Sequence, residues 1–156
     1  MLIETLAKML ADAKGGPIDY NGKNVFLSYK MPVRKGQEVE IEFMEYDKNY
    51  HQGIEVSIDQ RKGEVDINGQ KLVSPVFWTH TAPKIFSFVC NTKKEQGTIN
   101  LWNVWQNIEH EEGIDAWIGN SGLYIERLEN DTLIFYCSNG INGVNFSDLV
   151  FKIKLK

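Results

Sequence analysis

The sequence predicts an all-β fold, an antiparallel β-sandwich of jelly-roll type with about ten strands and one short N-terminal helix. Three observations predict it. Val39, Ile41 and Phe43 alternate with Glu38, Glu40 and Glu42, and Ile54, Val56 and Ile58 follow the same two-residue period. Gly, Asn and Asp punctuate such segments at short intervals, as turns between strands require. Helical spacing is confined to the N-terminus, so no helices alternate with the strands as they would in a parallel α/β sheet.

The helix is expected over residues 1–14. Leu2, Ile3, Leu6, Met9, Leu10 and Ala13 recur at three- and four-residue spacings, with Glu4, Lys8 and Asp12 on the other side. Gly15-Gly16-Pro17 stops it. Its apolar face is expected to cover one end or edge of the fold, or else to make a homo-oligomer. Residues 17–156 then form the sandwich, so that 1–156 is a single domain.

Further strands are expected at 25–30, 84–90, 98–106, 114–118, 123–128, 132–138 and 149–155. Between 64 and 73, Asn68-Gly69 separates two short strands, and this pair accepts the positive φ of a type I′ hairpin turn. In the last strand Phe151, Ile153 and Leu155 alternate with Lys152, Lys154 and Lys156. This basic stripe matches the acidic one at Glu38, Glu40 and Glu42, and the two strands are expected to be neighbours in one sheet.

Composition bounds the function. The chain has 42% hydrophobic and 24% charged residues and a formal net charge of -4, with 8 Phe, 6 Tyr and 4 Trp. A real core can therefore be buried, and a general binder of phosphate backbones is disfavoured. No nucleic-acid partner and no membrane partner are expected, since no apolar run approaches the roughly 20 residues of a membrane helix. The N-terminus lacks a basic segment before its apolar residues, which leads to a cytoplasmic expectation. Cys90 and Cys137 lie in apolar strand segments and read as free buried thiols, with a disulfide joining the two strands as the alternative.

The candidate ligand-binding residues are Trp78, His80, Trp102, Trp105, Asp115, Trp117 and Asn120. All four Trp lie between 78 and 117. Strand alternation puts Trp102 and Trp105 on opposite faces, so both cannot enter one core. One indole should lie under a loop, in a groove or at an interface. A Trp beside Asn and Gln suits a sugar, whose ring meets the flat indole while amides bond its hydroxyls. Asp115 and Glu126 are the carboxylates considered as a hydrolytic pair. No nucleophile elbow or dinucleotide fingerprint is present, and no catalytic residue is assigned.

Residues 138–151 hold a loop dense in Asn and Gly that runs into the final strand. Asn142, Asn145 and Asp148 offer hard oxygen ligands of the kind that suits Ca²⁺. Asn145-Phe146-Ser147-Asp148-Leu149-Val150-Phe151 resembles the closing segment of bacterial calcium-associated β-sandwich domains of the adhesin type. That resemblance implies a sandwich whose last loop binds Ca²⁺ or caps the sheet. Asn142 and Asn145 stand where acidic residues would be expected, which lowers the charge available to a cation. No other cofactor is expected.

Together these features lead to a non-enzymatic binding module for a carbohydrate or other small polar ligand. The alternative is a protein–protein interaction or structural oligomeric component, such as a bacterial or phage accessory or immunity-type protein. A glycoside hydrolase or lyase is the third reading.

Overall fold

A computed structural model describes residues 4–156, and of 110–112 only the backbone. The helix α1 spans Leu6–Asp12. Fourteen strands follow: β1 (Ile18–Tyr20), β2 (Lys23–Val25), β3 (Tyr29–Arg34), β4 (Glu38–Tyr46), β5 (Tyr50–Ile58), β6 (Glu64–Ile67) and β7 (Gln70–Leu72). The rest are β8 (Val76–Trp78), β9 (Ile85–Asn91), β10 (Gln96–Asn107), β11 (His110–Asp115), β12 (Gly122–Glu129), β13 (Thr132–Ser138) and β14 (Leu149–Leu155). The all-β sandwich read from the sequence is thus the observed fold, with more strands than expected.

Two antiparallel sheets stack. One runs β12-β13-β14-β4-β9-β6-β7; the other runs β11-β10-β5-β8, with β3 also paired to β10. Between them lies a core built from the alternating apolar positions. Val39, Ile41 and Phe43 from β4 meet Ile54, Val56 and Ile58 from β5, all at most 3% exposed. Phe135 and Phe151, from the adjacent strands β13 and β14, stack at 4.6 Å. Phe or Trp truncated to Ala in such a core costs about 3–5 kcal/mol.

The two charged stripes are neighbours. β14 pairs with β4, placing Lys152 opposite Glu42 and Lys154 opposite Glu40. Lys152 Nζ lies 3.2 Å from Glu42, and Lys156 Nζ lies 3.0 Å from Glu40. The hairpin at Asn68-Gly69 also forms as read, with φ of 51° and 81°.

Other boundaries differ. Thr5 caps α1, its side chain accepting the Lys8 N–H, so the helix is shorter than 1–14, and residues 1–3 lie outside the described ones. The strand expected at 25–30 is two strands, because β2 folds back on β1 and β3 begins only at Tyr29. The strand expected at 114–118 ends at Asp115 instead. Trp117 then takes φ 60°, which an extended strand cannot accommodate.

The helix covers the fold as one of its two expected roles. Leu6 and Leu10 are buried with Val25 against the start of β12, where a Cβ on Gly122 would meet Leu6 at 2.8 Å. Of its apolar face, Leu6, Ala7 and Leu10 are thus buried within the chain, while Leu2 and Ile3 lie outside the described residues. Among the described residues no helix is long and apolar enough to cross a membrane.

Candidate functional site

The Trp residues come first, because sequence pattern singled them out. Trp105 faces the interior and is 1% exposed, packed so closely under the 139–143 loop that a Cβ on Gly140 would come within 2.7 Å of it. Trp102 points to the outer face of the five-stranded sheet, yet it too is buried. Its cover is Trp117, whose ring lies 5.0 Å away and is 46% exposed. Trp78 lies on the same outer face, over Gly53, where a Cβ would meet the indole at 2.8 Å. His80 stacks on His51 at 3.6 Å, and both sit beside Trp78.

The structure thus gathers Trp78, His80, Trp102 and Trp117 on one face, without giving two exposed indoles side by side. Asp115 is exposed and opposite Trp105 at the end of β11, in a different sheet from Glu126 of β12. Asn120 is a structural bracket. Its Oδ1 accepts the Leu6 N–H at 3.2 Å, and its amide donates to the Asn142 carbonyl at 2.8 Å.

The final loop uses its oxygens internally. Asp148 is buried and accepts the Asn139 N–H through Oδ2 at 3.0 Å, while Asn145 Oδ1 accepts the Ser147 N–H. Burial pushes the Asp148 carboxyl above its usual value, the Asn139 N–H works against this, and nearby Asp47 adds to it. Among the described residues no group of three or more His, Cys, Asp or Glu side chains could hold a metal. Cys90 and Cys137 are free and buried. Burial pushes the Cys90 thiol up to about 12 and Cys137 well above the usual range, which favours the protonated thiol in both.

A groove that sequence reasoning missed lies along β12. Its volume is about 480 Å³. On the outer side Tyr124 and Tyr136 stack at 4.7 Å, with Lys23 Nζ 5.0 Å over the Tyr124 ring. The Tyr136 hydroxyl donates to Glu126 at 3.1 Å. Burial, then Glu126, raises the pKa of both phenols, so they remain hydroxyl donors at neutral pH. On the core side the groove reaches Phe26, Tyr29 and Leu133, with Phe26 and Tyr29 edge to face at 5.4 Å.

Local sequence explains this wall. Strand alternation puts Tyr124 and Glu126 of β12 on one face, and antiparallel register sets Tyr136 opposite Tyr124. The readable signal was the alternation of Tyr124 with Glu126 beside Tyr136. The groove itself exists because β12 is an edge strand, and strand order is not written in any local pattern.

No protein-family model, curated protein or solved structure matches the chain.

Proposed function

We propose that the chain is a non-enzymatic binding module whose ligand lies in the tyrosine-walled groove along β12. The observation that carries this reading is the coincidence of aromatic walls, charged groups and an open 480 Å³ volume at one strand edge. Ligand sites combine an apolar surface with a few directed polar groups, and Lys23, Asn24, Glu126 and Arg127 supply the latter. The carbohydrate or small polar ligand expected from the sequence is kept as a class, but its residues move from Trp and Asn to Tyr124 and Tyr136. Chemistry is disfavoured by what the reactive groups do: the Asp115 and Glu126 carboxylates stand in different sheets, and both thiols are held protonated.

Glycan and peptide arrays probed with the native chain and with Tyr136→Ala test the reading. Ligands retained by the native chain should weaken by roughly tenfold in the variant, the value of one well-placed aromatic contact. Hits that bind Tyr136→Ala as well as the native chain would move the site elsewhere.

A protein–protein contact is the second reading, favoured by one observation. Ile114, Trp117, Ile118 and Ile141 are 51%, 46%, 54% and 37% exposed, and Gly119 packs on Gly140 between the last two. Exposed apolar patches of this kind mark interaction surfaces. Ile118→Glu should abolish any concentration-dependent association seen by light scattering. Association unchanged in that variant would exclude the patch.

A further inference from the structure

A second hollow, of about 300 Å³, lies where the turn after β5 meets the β9–β10 loop and the start of β10. It shares no lining residue with the groove along β12. Lys62 of the turn and Lys93 and Lys94 of the loop line it, together with Gln60, Gln96 and Thr98. The backbone under these side chains is held by other contacts. Thr92 is buried, and its hydroxyl donates to the Lys94 carbonyl. A Cβ on Gly97 would lie 2.5 Å from Asp59 Oδ1 and 2.6 Å from Thr92, so the lack of a side chain there lets turn and strand approach. The three lysines are thus carried on a frame that does not depend on their own charges.

Those charges are not balanced from within the chain. Asp59 is the only carboxylate among the lining residues, and its two oxygens accept the Lys93 and Thr98 backbone N–H groups. Among the described residues, no carboxylate lies within ion-pair distance of Lys62, Lys93 or Lys94. Three like charges therefore share one hollow in a chain whose formal net charge is -4. An anion placed among them turns mutual repulsion into attraction.

We infer that this hollow is a second binding site, which takes a phosphate or sulfate ester carried on a small polar body such as a sugar. A terminal ester of this kind presents three acceptor oxygens to surrounding donors, and lysine meets such a group as a compact point charge. The hollow is larger than the ester group alone, and Gln60, Gln96 and Thr98 offer amide and hydroxyl partners to the body that carries it. A nucleic acid strand is a poorer fit, because it draws its affinity from a run of phosphate contacts.

The test uses the full chain, ¹⁵N-labelled, titrated at fixed ionic strength with glucose 6-phosphate, glucose 6-sulfate, glucose and sodium chloride. One of the two esters should bind saturably and shift the Lys62, Lys93, Lys94, Gln96 and Thr98 amides, while glucose and chloride leave them in place. The tighter ester identifies the group. Lys93→Gln with Lys94→Gln should weaken binding by about tenfold, the worth of two exposed ion pairs, with the melting temperature as the check on folding. Lys14→Gln with Lys30→Gln removes the same charge away from the hollow and should leave the affinity unchanged. Equal losses in the two double variants would reduce the effect to net charge and overturn the site. Chloride shifting the same amides as far as the esters, or neither ester binding, would overturn it too. Since the groove shares no residue with the hollow, shifts confined to Tyr124 and Tyr136 would refute this site and leave the groove standing.

Discussion

Trp117 lies across Trp102, with ring centroids 5.0 Å apart and the planes at 39°. This pair answers the problem set by the alternation of Trp102 and Trp105 in β10. Both faces of the strand are covered, one by the opposing sheet and the other by a residue fifteen positions along the same chain. The cover is bought with backbone strain, since Trp117 holds φ 60°.

Trp117→Ala should therefore destabilise the fold by about 1 kcal/mol, the worth of an aromatic pair at a half-exposed site. Trp117→Gly should cost less, because glycine accepts the left-handed backbone that alanine resists. Trp105→Ala should cost about 3–5 kcal/mol. Urea denaturation of the three variants gives the order directly.

Asp59, Gln60 and Arg61 form a turn with φ of 50°, 53° and 72°, three consecutive L-residues in the left-handed region. The Asp59 carboxylate holds the turn against the β9–β10 loop and the start of β10, accepting the Lys93 N–H at 2.8 Å and the Thr98 N–H at 2.9 Å. Gln60→Gly should stabilise by about 1 kcal/mol through released strain, and Asp59→Ala should destabilise by about 2 kcal/mol. Thermal melts of each variant report the two signs.

Asp148 sets a pH dependence. Its carboxyl is held above the ordinary 3.8, chiefly by burial. The folded state then binds this proton more tightly than the unfolded chain does. The contribution is most favourable below 3.8 and is lost as pH rises through the folded value. Asp148→Asn keeps an acceptor for Asn139 and removes the charge. It should gain stability at pH 7, and the gain should vanish in acid; denaturant titrations at both pH values measure it. Millimolar Ca²⁺ should leave the melting temperature of the native chain unchanged, because the Asn145 and Asp148 oxygens are engaged within the loop.

Across β4 and β14, Lys152 and Glu42 make a partly exposed pair at 3.2 Å. A double-mutant cycle to Ala should return about 0.2–1 kcal/mol, falling with added salt. Lys152→Glu should destabilise, and combining it with Glu42→Lys should restore most of the loss.

Features governed by period and turn chemistry were legible in the sequence. The β6–β7 hairpin follows from the φ that Asn68-Gly69 accepts, and the β4–β14 pairing follows from two stripes of opposite charge. Candidate Trp residues were found, but their exposure depended on a partner outside the strand, as with Trp117 over Trp102. The groove was not legible. Tyr124 and Tyr136 read as ordinary strand residues until the strand order set β12 at an edge with Phe26 ending the ladder. Asn120 has a role of the same long-range kind: its side chain joins α1 to the 142 region across the fold, which a turn motif does not announce.

The most direct test of the central claim is a ¹⁵N chemical-shift map of the native chain titrated with the saccharide and peptide ligands that the arrays return. The groove account predicts that the largest shifts fall on Tyr124, Ile125, Arg127 and Tyr136. Shifts centred on Trp78, Trp102 and Trp117, with the β12 edge unmoved, would contradict it.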